Sequence, residues 1–223
     1  MRLFLDTANI DEIEQGVRLG VISGVTTNPS LAAKEGIGDL GSYKNAILQI
    51  AEILPENSPI SVEVTAQDSQ EMIRQSREIA TWHSSVIVKL PSTIDGFHAI
   101  AVITREGIPV NQTLCFSVNQ ALLGAQSGVT YVSPFVGRLD DEGHQGMDLV
   151  ADLVSTFRNY PIETQVLAAS IRHPLHCVQA AKAGAHIASI PFKVLMQMTH
   201  HPLTDAGNAI FNRDWDKVSA VKV

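Results

Sequence analysis

The residue best suited to covalent chemistry in this chain is a lysine in an apolar run, Val86-Ile87-Val88-Lys89-Leu90-Pro91. The rest of the run has the short, β-branched pattern of a strand covered on both faces. Burial there disfavours the charged form of an amine and turns an inert cation into a nucleophile able to form a Schiff base with a carbonyl. The same residue has a second reading, a lysine that snorkels from a strand end or pairs with a carboxylate. The neighbouring strands must decide between them.

Those strands recur at regular intervals. Leu3–Asp6 is followed by a helix with Ile10, Ile13 and Val17 on one face, capped by Asn9 or Thr7. A second strand ends in Val25-Thr26-Thr27-Asn28-Pro29, where the proline marks an exit into a loop. Ile60–Val64, the lysine run, Val110–Leu114, Tyr131–Val136, Val166–Ser170 and His186–Ile190 complete eight strands, with a helical pattern between each pair. Asp68 with Glu71 and Ser117 with Gln120 have capping-box spacing, and Pro174 suits a first helical turn. Gly137–Gly143 reads as a polar loop, and Phe192–His200 and Leu203–Val218 as closing helices. An unbroken βα cadence of this length predicts an α/β fold, a (β/α)8 TIM barrel, short of the usual ~250 residues. The glycine fingerprint of a dinucleotide-binding sheet is absent after the first strand. One domain is expected over 1–223, with about 203–223 as a C-terminal helical extension.

In such a barrel alternate side chains point inward, and active sites form at the C-terminal strand ends. Asp6, Thr26 and Asn28, Ser61 and Glu63, Lys89, Asn111 and Thr113, Ser133 and Phe135, and Ser170 fall there on strands one to seven. Barrel interiors normally hold bulky branched residues, so a polar ring is costly unless it solvates a ligand or works in catalysis. Any one member reads equally as a satisfied strand end or helix cap. Seven strands together favour a catalytic Lys89, with Asp6 and Glu63 as proton handlers. Arg138 and Arg172 follow strands six and seven and suit phosphate at the rim, although Arg138 could instead pair with Asp140 or Asp141.

Composition narrows the function classes. Hydrophobic residues make up 45 % and charged residues 17 % of 223, the balance of a globular chain. Net charge is −7 with no basic run, which argues against nucleic acid while leaving room for a local phosphate pocket. The acidic N-terminus resembles no signal peptide and no apolar run spans a membrane, so a cytoplasmic protein is expected. Cys115 and Cys177 are spaced like neither a zinc site nor a disulfide framework and read as buried thiols. His173, His176, His200 and His201 lack a carboxylate or cysteine at ligand spacing on the same element and read as caps or surface groups, so no metal is expected.

Five motifs together resemble the small-subunit transaldolases and their relatives, the fructose-6-phosphate aldolases. They are Leu5–Asn9, Gly24–Ser30, Val88–Pro91, Tyr131–Arg138 and Ala169–Arg172, on five strands in the right order. The resemblance implies a class I mechanism without cofactor. In it Lys89 attacks the ketone, Asp6 accepts the C4 hydroxyl proton, and Glu63 shuttles protons through a water held with Thr113. It implies that Asn28, Asn111 and Ser133 hold the bound dihydroxyacetone, with Thr26 and Phe135 in the same pocket, and that Arg138, Arg172 and Ser170 hold the phosphate of a phosphorylated sugar. The aldolases carry glutamine at the position of Glu63 and tyrosine at that of Phe135, so both positions here match transaldolase. Ile171 stands where larger transaldolases have phenylalanine. Short members of the family also imply a homo-oligomer, a decamer of two pentamers, with Phe211 and Trp215 as anchors of a docking C-terminal helix. The rivals are an aldolase that releases free dihydroxyacetone and a sugar-phosphate-binding barrel without catalysis.

Overall fold

A computed structural model of the chain describes residues 1–220. Eight parallel strands close into a barrel in sequence order. They are β1 (Arg2–Asp6), β2 (Ile22–Thr26), β3 (Ile60–Glu63), β4 (Val86–Pro91), β5 (Val110–Cys115), β6 (Tyr131–Pro134), β7 (Gln165–Ala168) and β8 (Ile187–Ile190). The crossover helices are α1 (Ile10–Arg18), α2 (Pro29–Lys34), α3 (Leu40–Ile53), α4 (Ser69–Ala80), α5 (Ile94–Arg105), α6 (Val118–Gln126), α7 (Val136–Asp141), α8 (Gly146–Arg158) and α9 (Pro174–Ala183), followed by α10 (Phe192–Thr199) and α11 (Pro202–Ala220). This is the single-domain TIM barrel with a C-terminal helix that the βα cadence predicts. Residues 221–223 of the expected extension lie outside the described residues.

Two apolar layers hold the barrel. Outward-facing strand residues such as Leu5, Val62, Val88, Val132 and Val166 pack under the helices with Ile47, Ile79, Ile100 and Leu153. Inside, Phe4, Ile87, Tyr131, Leu167, Ala169 and Ile187 form a second cluster that plugs the lower half. Phe4 and Tyr131 meet edge to face at 6.2 Å. Gly24 makes room for that plug, because a Cβ there would lie 2.7 Å from the Phe4 ring.

Local sequence fixes most helix starts. Asn9 caps α1 by accepting from Glu12 N at 3.0 Å, while the Thr7 hydroxyl accepts from Asn9 N. Asp68 and Ser117 cap α4 and α6 as their spacing predicts. Gln120, however, directs its side-chain oxygen to Phe116 N at 2.8 Å, outside the reciprocal box.

Two segments differ from the sequence reading. Pro29 opens no loop: it is the first residue of α2, with Asn28 as cap accepting from Leu31 N at 3.0 Å. The polar stretch after Phe135 is the helix α7, without a side-chain cap. Its first amides donate to Ala169 O and Ser170 O, so tertiary contacts with the neighbouring strand end form this turn.

From Pro202 to Val218 the residues of α11 are exposed, apart from half-buried Gly207. Leu203, Phe211 and Trp215 are each more than 70 % exposed. Among the described residues no helix is long and apolar enough to cross a membrane. Cys115 and Cys177 are buried free thiols, and burial pushes the Cys115 thiol up to about 11.

Candidate active site

Lys89 lies at the level where the barrel interior changes from apolar to polar. Ile87, two residues earlier, belongs to the lower plug. Lys89 itself is 4 % exposed and lines a cavity of about 300 Å³ at the C-terminal end of the strands. Its neighbours in the ladder are Glu63 on β3 and Asn111 on β5. Nζ lies 2.9 Å from Glu63 Oε2 and donates to Thr27 O at 3.1 Å. The two sequence readings of this lysine therefore coincide: it is paired to a carboxylate and it also faces a cavity.

Polar groups brace it on either side. Asn111 donates to Ser61 Oγ at 3.0 Å and accepts from Ser133 Oγ at 2.7 Å, a chain that links β3, β5 and β6. Asn111, Ser61 and Ser133 are buried. This chain leaves the Asn111 amide in one orientation, as a buried network does when all its members are satisfied.

Across the cavity, Thr26 Oγ1 donates to Asp6 Oδ1 at 2.7 Å and lies 2.5 Å from Ser189 Oγ. Burial raises the Asp6 carboxyl above its ordinary range; attraction to Lys89 and the Thr26 bond oppose that, and Glu63 adds repulsion. A carboxyl raised in this way is suited to proton exchange.

Thr113 is fully buried and its hydroxyl has no partner among the described residues. The next residue, Leu114, has φ +53, and the β5–β6 register shifts there. Such a bulge re-aims side chains at a strand end.

The rim carries the cations. Arg138 lies on α7 with its guanidinium 5.0 Å over the Phe135 ring, and Phe135 packs edge-on against Phe116 at 5.8 Å. The alternative pairing of Arg138 with Asp140 or Asp141 is absent among the described residues. It is Arg172 that binds Asp141, at 2.7 Å, with both side chains at least half exposed. Ser170 lies beyond β7 with φ +57, and Ala169, just past the strand end and bridged to Phe135, takes the inward position. Gly137 donates to Ser170 O at 2.9 Å. A Cβ on Gly137 would collide with that oxygen and lie 2.6 Å from Arg172 Nε, so only glycine permits this approach.

His176 is buried and does not act as a cap or surface group. Its Nδ1 accepts from Arg172 N at 3.3 Å, its Nε2 lies 3.1 Å from Asp140 Oδ2, and Asp140 Oδ1 accepts from Gly146 N at 2.8 Å. Burial, above all, lowers the pKa of its imidazole. Among the described residues no three His, Cys, Asp or Glu side chains converge as a metal site.

Of the residues predicted from sequence, Asp6, Thr26, Asn28, Lys89, Ser133, Phe135, Arg138, Ser170 and Arg172 line this one cavity. Glu63 and Asn111 are not on its lining and flank Lys89 from adjacent strands; Thr113 pairs with Pro91 one step above. Ser30, Leu31 and Lys34 also line it, which the sequence reading does not anticipate. Their spacing is one helical face, visible only once Pro29 is taken as a helix start.

Comparison with known proteins agrees with this geometry. The family model described as transaldolase/fructose-6-phosphate aldolase matches residues 3–222. A "probable transaldolase" of Dehalococcoides mccartyi is 60 % identical over 98 % of this chain and 99 % of its own length. Proteins of the same name from a Thermoanaerobacter species and from Herpetosiphon aurantiacus are 54 % and 51 % identical, over 97 % and 98 % of this chain and 98 % and 96 % of theirs. A full-length match at these identities, on a barrel with this polar rim, assigns the chain to the transaldolase/fructose-6-phosphate aldolase family of enzymes.

Proposed function

We propose that the chain is a transaldolase using class I Schiff-base chemistry. It moves a dihydroxyacetone unit from sedoheptulose 7-phosphate or fructose 6-phosphate to glyceraldehyde 3-phosphate or erythrose 4-phosphate, in the non-oxidative pentose phosphate pathway of the cytoplasm. The observation that carries this reading is the buried Lys89 amine facing the cavity, with a carboxylate at 2.9 Å and a backbone carbonyl at 3.1 Å.

Each step has a group at hand. Glu63 takes a proton from the cavity side of Lys89 through the water held with Thr113, the Nζ lone pair left there adds to the C2 carbonyl, and return of a proton to the carbinol oxygen expels water and gives an iminium. The C3–C4 bond then breaks, its electrons move into the iminium to leave an enamine, and Asp6 takes the C4 hydroxyl proton as the aldose phosphate departs. The enamine adds to the acceptor aldehyde, whose oxygen takes the proton back from Asp6, and water hydrolyses the new iminium to release the product ketose and the Lys89 amine. The unpartnered Thr113 hydroxyl, one step above Asn111 on β5, supports its role with Glu63 in holding that water. Asn28 keeps its amide nitrogen free of the α2 cap, which suits it to a substrate hydroxyl beside Asn111 and Ser133. Arg138, Arg172 and Ser170 hold the phosphate, a pairing that favours arginine forks.

The exposed apolar residues of α11 support a homo-oligomer in which this helix docks on a neighbour. Glu63 and Phe135 favour transaldolase over release of free dihydroxyacetone. The test follows products from fructose 6-phosphate with and without erythrose 4-phosphate. Turnover that needs the acceptor and yields sedoheptulose 7-phosphate supports the proposal. Free dihydroxyacetone accumulating at a comparable rate without acceptor replaces it with an aldolase. Absence of a borohydride-fixed adduct on Lys89, where substrate binds, leaves a binding barrel.

A further inference from the structure

The carbonyl that receives the Lys89 amine is itself held from outside the barrel. Thr27 follows β2, and its oxygen accepts from Nζ at 3.1 Å. Its amide donates to Ser61 O at 2.9 Å, and its hydroxyl donates to the same oxygen at 2.9 Å. That hydroxyl also lies 2.6 Å from Tyr43 Oη. A hydroxyl has a single hydrogen, and Thr27 directs its own to Ser61, so Tyr43 is the donor. Tyr43 comes from α3 in the outer apolar layer, 3 % exposed and 6.0 Å edge-on from Trp82. It does not line the cavity.

We propose that Tyr43 is a positioning residue for the nucleophile: through Thr27 it fixes one of the two acceptors that orient the Lys89 amine. This rests on the Schiff-base reading above. A neutral amine has two hydrogens and one lone pair. With one hydrogen on Glu63 Oε2 and the other on Thr27 O, the lone pair has a single remaining direction, into the cavity. If the Thr27 carbonyl is released, Nζ turns about its own bond and spends less time aimed at the substrate ketone. Attack slows while substrate binding is unchanged, because an orientation effect acts on the reacting step. Asn28 does not transmit the change, since it is tied separately through Leu31 N and Ala32 N.

The test compares Tyr43→Phe, Thr27→Val and Thr27→Ser with the wild-type enzyme. Steady-state kcat and KM are measured for fructose 6-phosphate with erythrose 4-phosphate, together with the single-turnover rate of borohydride-trapped adduct on Lys89. Tyr43→Phe keeps the ring and its Trp82 contact and should lower kcat and the trapping rate about tenfold, with KM within about twofold. Thr27→Val should lose at least as much, and Thr27→Ser, which keeps the hydroxyl, should restore the rate to within about twofold of wild type. Adding Tyr43→Phe to Thr27→Val should cost nothing further, because Tyr43 acts through the Thr27 hydroxyl that valine already lacks. A wild-type trapping rate in Tyr43→Phe, or a loss confined to KM, overturns the proposal. If Tyr43→Phe does not fold, the Thr27 pair decides: equal rates for valine and serine overturn it. If the wild-type enzyme binds sugar phosphate yet gives no adduct on Lys89, the Schiff-base reading fails first.

Discussion

The lower and upper halves of the barrel interior are built from the same inward-facing strand positions, two residues apart, with opposite chemistry. Below, Phe4, Ile87, Tyr131, Leu167 and Ile187 pack as a plug. Above, Asp6, Thr26, Glu63, Lys89, Asn111 and Ser133 bond to one another around a cavity. Apolar burial stabilises by about 25 cal/mol per Å², whereas buried polar groups at best recover their desolvation through hydrogen bonds. The contrast indicates that the lower half holds the barrel closed so that the upper half can keep groups that do not favour folding.

Truncating the plug tests this most severely. Phe4→Ala should cost about 3–5 kcal/mol in denaturant unfolding, since nothing fills the space that Gly24 leaves for the ring. At temperatures where the variant is folded, KM should stay near wild type. A large rise in KM with little loss of stability would mean that the two halves are not separable. Arg172→Ala is the reciprocal case. Its pairing with Asp141 is exposed and contributes little to stability, which leaves the guanidinium available to a phosphate. The variant should bind phosphorylated donors about 30-fold more weakly, ~2 kcal/mol, with unphosphorylated fructose and the melting temperature almost unaffected. Equal losses for both sugars would remove Arg172 from the phosphate site.

The same contrast explains how much the sequence reveals. The eightfold βα cadence exposes the barrel, and the polar residues at the strand ends together with the one cation among β-branched residues expose the inward parity and Lys89, because each is read within single strands or from the order of elements. α7 is not legible in Gly137–Gly143, since its first turn is held by Ala169 O and Ser170 O from the next strand. The Arg172–Asp141 pair, buried His176 and the left-handed Ser170 likewise arise from segments that meet only in the fold. Lys34 is not legible because the proline that reads as an exit from strand to loop is a helix start. Ser189, the polar member contributed by β8, becomes visible only through its bond to Thr26.

A subtler test concerns the cost of the upper half. The Asp6 carboxyl is raised above its ordinary 3.8 mainly by burial. Between 3.8 and the raised value the folded chain holds a proton that the unfolded chain has lost, so stability falls as pH rises through that window. Above the window the cost is constant, and below 3.8 it is absent. Asp6→Asn can keep the Thr26 bond while removing the charge. It should melt higher than wild type at neutral pH, lose that advantage below about 3.8, and have almost no turnover. A variant less stable at every pH would show that Asp6 contributes to folding and that the division between the halves is wrong at this residue.

The smallest change acts at the cavity wall. Phe135 is half-buried between the Phe116 ring and the Arg138 guanidinium, so the cavity has an apolar edge there. Phe135→Tyr keeps the ring and its packing and adds one hydroxyl able to hold a water. Water near the three-carbon intermediate competes with the acceptor aldehyde, so free dihydroxyacetone per transfer should rise about fivefold, equivalent to ~1 kcal/mol between the two exits. Measuring both products at one erythrose 4-phosphate concentration reads this partition directly. An unchanged ratio would assign acceptor dependence to Glu63, which lies 2.9 Å from Lys89 Nζ, and Glu63→Gln would then be the substitution that moves it.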